Sequence, residues 1–120
     1  MDRGYIYLNK SHFVNNLVYL IELTKKELCL VVKANAYGHG IQWTVATAQE
    51  VGINWFAVAS VNEAIQVRNI SKSARILLLS EPSKSQLKNV LKYQIDLTVY
   101  NEQFIDELIF DKGIYNVHLK

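Results

Sequence analysis

The chain of 120 residues is half apolar and one-fifth charged, and its 13 Lys and Arg residues exceed its 11 Asp and Glu residues by only two. These values are close to those of average globular domains, so they exclude intrinsically disordered and fibrous proteins. The small net charge and the lack of long runs of like charge argue against a nucleic-acid-binding surface. The length is sufficient for one domain.

The N-terminal region shows no pattern of a secretory signal or a transmembrane helix. Its longest apolar run, Leu28–Val32, has five residues, whereas a signal peptide needs an apolar stretch of about 7–15 residues and a transmembrane helix about 20. The single cysteine, Cys29, excludes an intramolecular disulfide and favours a reducing compartment. The sequence therefore predicts a cytoplasmic protein that has no membrane partner.

The first part of the chain predicts a strand, a helix and a second strand. Tyr5–Leu8 is rich in aromatic and branched residues, which is typical of a short strand. Asn9 or Ser11 can cap the helix that follows, because apolar residues recur at helical spacing as far as Ile21. Leu28–Val32 is a continuous apolar run, which predicts a strand that is covered on both faces.

The rest of the chain repeats this alternation of helix and strand. Helices are predicted at Ile41–Val51, after Ser60, around Leu87–Leu91 and after Asn101, and strands at Trp55–Ala59, Ile76–Leu79, Ile95–Val99 and Tyr115–Leu119. Strand ends near residues 33, 59, 79, 99 and 119 leave room for one helix in each connection, which indicates a parallel sheet. Two architectures fit this spacing: a complete doubly wound sheet of the flavodoxin type, and about half of a (β/α)₈ barrel.

The segment Val31–Gly40 carries the residues best suited to chemistry. Lys33 directly follows a predicted buried strand, and α/β folds place functional groups at the carboxyl ends of such strands. An amine there can attack a carbonyl carbon and form a Schiff base. Tyr37 can donate a hydrogen bond to an anion such as phosphate, while Gly38 and Gly40 permit positive φ angles. From residue types alone, the alternative is a surface lysine, a packed tyrosine and an ordinary turn.

Other cofactor and metal signatures are missing from the sequence. It contains neither the G-x-G-x-x-G pattern nor a Walker A motif. His12, His39 and His118 are scattered along the chain, and Cys29 lies inside an apolar run, where a buried core thiol is expected. The sequence therefore predicts no metal site.

Val32–Gly40 resembles the pyridoxal-phosphate attachment signature of the alanine racemase family. This motif has nine residues and almost no free positions, so the resemblance is specific. It extends over nearly the whole chain, through Trp55–Ala59 with Glu63 and Ala64, Ile76–Leu79, Leu97–Tyr100 and Val117–Lys120. The resemblance implies the N-terminal half of a (β/α)₈ TIM-type barrel, truncated after about five strands, rather than a complete flavodoxin-like sheet.

The resemblance also implies roles for five residues. Lys33 would hold pyridoxal 5′-phosphate as an internal aldimine and then act as one of two racemisation bases. Tyr37 would bind the cofactor phosphate, and Val31 and Leu79 would pack beside the cofactor ring. Lys120 is similar in position to a lysine that is carbamylated in several family members.

The implied activity is the interconversion of L-alanine and D-alanine, which serves D-alanine and cell-wall biosynthesis. In the family, the second base is a tyrosine of a C-terminal β-domain, and the second subunit of a homodimer supplies it. Residues 1–120 would be a partial barrel domain without that β-domain, so we expect the chain alone to be inactive. The alternatives are a non-catalytic pyridoxal-phosphate-binding barrel protein and an inert truncated product.

Overall fold

The computed structural model describes residues 4–120, which form a parallel sheet flanked by helices. The strands are β1 (Leu30–Val31), β2 (Trp55–Val58), β3 (Arg75–Leu78), β4 (Asp96–Val99) and β5 (Val117–Leu119). The helices are α1 (Lys10–Thr24), α2 (Lys33–Tyr37), α3 (Ile41–Glu50), α4 (Val61–Ile70), α5 (Leu87–Lys92) and α6 (Glu102–Asp111), with a 3₁₀ turn at Lys84–Gln86.

The strand order decides between the two architectures that the spacing left open. The five strands pair in the order β1-β2-β3-β4-β5, and every pair is parallel. A flavodoxin-like sheet has the order 2-1-3-4-5, with its first strand in the interior. In the observed sequential order, crossovers of the usual right hand place the helices on one face of the sheet. The doubly wound alternative is therefore wrong.

Burial along β1 and β3 agrees with this one-sided covering, whereas β4 and most of β2 are buried on both faces. Alternate strand residues enter the core beneath the helices, namely Phe56, Val58, Ile76, Leu78, Leu97 and Val99. The intervening residues Val31, Ala57, Leu77 and Thr98 point to the opposite side, which we call the helix-free face. There Val31 is 37% exposed, whereas Leu78 on the helix side is 1% exposed.

Side-chain caps begin the helices where the sequence predicts them. Asn9 accepts a hydrogen bond from the backbone N–H of His12, and Ser60 accepts one from the N–H of Glu63. Asn101 does the same for α6. Each cap satisfies an N–H that has no partner within its own helix. These contacts confirm the predicted starts of α1, α4 and α6.

Two predicted strands differ from the structure. Tyr5–Leu8 is not a strand: its side chains are exposed and it pairs with no part of the sheet. Its residue types favour extended backbone, but a strand is stable only when a neighbouring strand supplies hydrogen bonds and packing. The run Leu28–Val32 forms a strand only at Leu30–Val31, and its expected burial on both faces is wrong because Val31 lies on the helix-free face. Cys29, expected as a buried core thiol, is half-buried.

Polar residues on the helix-free face cluster toward the beginnings of the strands. Asp96 is buried within β4 and accepts a hydrogen bond from Arg75 Nε at 3.0 Å. The Arg75 guanidinium stacks 4.4 Å from the centre of the Trp55 ring, and His118 Nε2 lies 3.9 Å from the Asp96 carboxylate. These contacts compensate for burying a carboxylate in a strand. Within residues 4–120, no helix is long and apolar enough to cross a membrane.

Candidate active site

Parallel strands bring the predicted site residues to one edge of the sheet. Val31 ends β1 and Lys33 follows it, while Leu79 follows β3 and Lys120 follows β5. The Leu79 N–H donates to the carbonyl of Val58 at 2.8 Å, which fixes Leu79 against the neighbouring strand. All four residues therefore lie at the carboxyl edge.

Along this edge, Lys120 lies further from Lys33 than Val31 and Leu79 do. With strands about 4.8 Å apart, Val31 and Leu79 are about 10 Å from each other along the sheet. Lys120 lies four strands from β1, or about 19 Å along the sheet, and its ammonium sits 5.6 Å from the centre of the Tyr100 ring. Val31, Lys33 and Leu79 thus follow the first and third strands of the sheet, and Lys120 follows the fifth, two strands further along. The modification of Lys120 stays a prediction.

The segment after Lys33 is a turn of left-handed helix. Ala34, Asn35, Ala36 and Tyr37 all have φ angles between 51° and 55°. Non-glycine residues rarely adopt this conformation, because Cβ crowds the following carbonyl oxygen. Gly38 and Gly40 also have positive φ angles, as the sequence predicts, but nothing in the residue types signals the four before them.

Hydrogen bonds within the segment hold this strained turn. The Ala36 N–H donates to the carbonyl of Val32 at 2.9 Å, and the Gly40 N–H donates to the carbonyl of Asn35 at 2.9 Å. The Asn35 side chain accepts from the N–H of Ile41 at 2.9 Å and so begins α3. Such strain persists only where the surrounding contacts over-determine it, and it is typical of functional sites.

The turn gives Lys33 and Tyr37 different surroundings. Lys33 is half-buried where the strand ends, whereas Tyr37 is 60% exposed. Between them, the Ala36 side chain is 4% exposed and anchors the turn in the core. The site therefore offers an amine at the strand end and a phenol hydroxyl on the turn beside it.

Glu63 is a residue of this edge for which the sequence predicted no role at the site. Its carboxylate accepts from the N–H of Ala34 at 3.1 Å and from the N–H of Ala59 at 2.8 Å. Ser60 caps α4 by accepting from the N–H of Glu63. Ser60 and Glu63 have the spacing of a capping box, in which the glutamate would accept from the N–H of the cap residue, but here its carboxylate accepts from the ends of two strands. Only the pairing of β1 with β2 brings Ala34 within reach of this carboxylate.

Similar contacts join the next strands at the same edge. The Ser80 hydroxyl donates to the carbonyl of Ala59 at 2.8 Å. Glu81 accepts a hydrogen bond from the N–H of Tyr100 at 2.9 Å, so a carboxylate also joins the ends of β3 and β4. The edge that bears Lys33 is therefore held by polar contacts from one strand to the next.

Comparison with known proteins agrees with this arrangement. Residues 8–120 match the family described as "Alanine racemase, N-terminal domain". The chain belongs to this family. The alanine racemase of Treponema denticola is 40% identical over 101 residues, which are 79% of this chain and 27% of that protein. The alanine racemase of Listeria innocua is 38% identical over 121 residues, covering 100% of this chain and 31% of its own.

Solved structures show the same fold. The crystal structure of alanine racemase from Oenococcus oeni superposes with a TM-score of 0.80 at 30% identity, over 92% of this chain and 33% of that one. The five strands and their connecting helices are therefore consecutive units of a TIM-type barrel, which confirms the expected N-terminal part of the barrel. The chain spans about a third or less of the length of these relatives.

Proposed function

We propose that this chain carries the cofactor lysine of a pyridoxal-phosphate-dependent racemase that interconverts L-alanine and D-alanine. The observation that carries the proposal is the placement of Lys33 at the end of β1, directly before a strained turn that bears Tyr37. The family membership favours the same reaction class. Residues 1–120 form a partial barrel domain in this proposal.

The residues at this edge have the chemistry that the cofactor requires. Lys33 supplies an amine for the cofactor aldehyde. Val31 and Leu79, both partly exposed, offer apolar surface for a planar ring. The Tyr37 hydroxyl can donate to a phosphate oxygen. A side chain added at Gly38 or Gly40 would meet no atom within 4 Å, so the turn leaves open space at both glycines. These residues therefore fit the group.

Lys33 has two tasks in the proposed reaction. Bound pyridoxal phosphate supplies a conjugated ring that stabilises the charge left when the α-proton of the amino acid departs. Lys33 Nζ holds the cofactor before the substrate arrives, and as a free amine it takes or returns the α-proton on one face of the substrate. Tyr37 holds the phosphate end, so the amine and the α-carbon keep a fixed relation.

Racemisation needs proton transfer on both faces of the α-carbon. Lys33 transfers the proton on one face, and we assign proton transfer on the opposite face to a group outside residues 1–120. In this proposal the whole protein has the length of its relatives and is a homodimer. We therefore propose that the 120-residue chain alone binds the cofactor and shows little or no conversion of L-alanine to D-alanine. Normal turnover by residues 1–120 would contradict this assignment.

Trapping with borohydride tests the attachment of the cofactor. The purified chain is incubated with pyridoxal phosphate and reduced, and each lysine is then quantified by peptide mass spectrometry. We expect label to concentrate at Lys33, to be lost in Lys33→Ala, and to persist in the matched variant Lys72→Ala, which removes an exposed lysine. Even labelling of all lysines would refute a built attachment site.

A further inference from the structure

The carboxylate of Glu63 joins the ends of two strands at the lysine site. Glu63 is half-buried in the first turn of α4, and its two oxygens accept separate hydrogen bonds from the backbone N–H groups of Ala34 and Ala59. One side chain thereby ties the residue after Lys33 to the residue after β2. Hydrogen bonds to an ionised acceptor are the stronger kind, so this contact is firm.

The tie acts where the backbone is most strained. Ala34 is the first of four consecutive residues with φ angles of 51–55°, and the Glu63 oxygen is 3.1 Å from its N–H. Without that acceptor, backbone hydrogen bonds of the turn itself are left to oppose its relaxation, from the Ala36 N–H to the Val32 carbonyl at 2.9 Å and from the Gly38 N–H to the Ala34 carbonyl at 3.2 Å. Rotation about the bonds that flank Ala34 would change the position of the Lys33 side chain relative to Tyr37, which lies at the other end of the turn.

We propose that Glu63 is a positioning residue: through Ala34 it holds the left-handed turn that aims the Lys33 amine at the cofactor aldehyde. This inference rests on the proposed function. The contact between Glu81 and the N–H of Tyr100 provides the comparison, because it is a similar carboxylate–backbone bond at a strand end without a cofactor lysine.

The experiment compares Glu63→Ala and Glu63→Gln with Glu81→Gln in the 120-residue chain. Glu63→Gln keeps the size of the side chain, but its NH₂ group cannot accept a hydrogen bond from the backbone N–H that it faces. Hydrogen exchange measures the amides of Ala34 and Ala59. Reductive trapping with pyridoxal phosphate measures the ratio of label at Lys33 to label at the exposed Lys72 and Lys88, which are internal standards. Circular dichroism confirms that each variant is folded.

We expect Glu63→Ala to speed exchange at Ala34 and Ala59 about tenfold or more, because each amide loses a charge-assisted hydrogen bond. The labelling preference for Lys33 should fall by about tenfold in Glu63→Ala and by less in Glu63→Gln. Glu81→Gln should keep the full preference. A purely structural role would lower stability in both the Glu63 and Glu81 variants and leave the labelling ratio unchanged.

Three results would overturn the proposal, and they have different meanings. A strong preference for Lys33 that survives in both Glu63 variants removes the positioning role and leaves the proposed function intact. No preference for Lys33 in the unsubstituted chain refutes the proposed function and the positioning role with it. Rapid exchange at Ala34 in the unsubstituted chain would likewise show that the Glu63 contact does not hold the turn.

Discussion

Arg68 allows a stability prediction that is independent of the lysine site. Its side chain is 9% exposed and lies under the ends of two connections, where the guanidinium donates to backbone carbonyls. Its acceptors are the carbonyls of Lys72 at 3.0 Å, Ala74 at 2.6 Å, Tyr93 at 2.9 Å and Gln94 at 2.9 Å, with a longer contact to Ser71 at 3.5 Å. One side chain therefore joins the connection before β3 to the connection before β4.

The expected loss in the free energy of unfolding follows from the carbonyls that lose their hydrogen-bond donor in Arg68→Met. Three of the four short contacts reach carbonyls of partly exposed segments, where water can replace the arginine at a loss of about 0.5–1 kcal/mol each. The carbonyl of Ala74 is buried, and leaving it without a donor costs about 1–3 kcal/mol. Burial lowers the pKa of the Arg68 guanidinium, and the charge of Asp96 partly offsets this effect. Because Arg68→Met removes a buried charge that is costly to desolvate, the net loss of stability is smaller than the sum of the lost hydrogen bonds.

We therefore expect Arg68→Met to lower the free energy of unfolding by about 3 kcal/mol and the melting temperature by about 12 °C for a chain of this size. Arg68→Lys should lose about half as much, because an ammonium keeps the charge but cannot reach both connections. Urea unfolding followed by circular dichroism measures both values. Lys88→Met, at an exposed position of α5, is the matched control and should change stability by less than about 0.5 kcal/mol.

Two outcomes would refute this reasoning. If Arg68→Met unfolds within about 1 kcal/mol of the unsubstituted chain, the five carbonyl contacts are not the source of stability that we assign to them. If the variant stays folded but loses the labelling preference for Lys33, the two ends of the strands are coupled. We expect no such coupling, because Arg68 contacts the entrances of β3 and β4 whereas Lys33 lies at the opposite edge.

Four further predictions concern the site and the sheet. Lys33→Ala should reduce the exchange of the alanine α-proton with D₂O, measured by NMR, to the rate seen with free pyridoxal phosphate. Tyr37→Phe should weaken cofactor binding about tenfold in a titration, because the phosphate loses a hydrogen-bond donor. Asp96→Leu should cost about 1–2 kcal/mol in urea unfolding, because it leaves the half-exposed Arg75 without its carboxylate. Burial raises the pKa of the Cys29 thiol to about 11, so its contribution to stability is complete below about pH 9 and declines toward about pH 11.

The predictions for Lys33, Tyr37 and Cys29 each have an outcome that contradicts them. Exchange in Lys33→Ala at the rate of the unsubstituted chain would assign the proton transfer to another group. Tight cofactor binding by Tyr37→Phe would remove the phosphate contact. For Cys29, the difference in unfolding free energy between the unsubstituted chain and Cys29→Ala should shrink as the pH rises through this range. A constant difference would show that the thiol ionises equally in the folded and unfolded states.

Local sequence signals predicted most of the elements, because they depend on neighbours in the chain. Asn9, Ser60 and Asn101 each cap a helix through an N–H two or three residues away, and such caps are visible in the sequence. The apolar runs at β2, β3 and β4 predicted strands within one residue of the observed bounds. The family signature at Val32–Gly40 singled out Lys33 and Tyr37, whose roles as cofactor ligands stay predictions.

The tertiary structure decided what depends on residues distant in the chain. Helical and strand periodicity is the same in a flavodoxin-like sheet and in a barrel. The family resemblance favoured the barrel, and the pairing of strands in sequential order then excluded the flavodoxin-like sheet. The left-handed turn after Lys33 opposes the preference of its own residues, and contacts such as that from Glu63, 29 positions away, hold it in place. A sequence records each residue's own preferences, whereas strain of this kind becomes stable only when the folded chain brings its partners together.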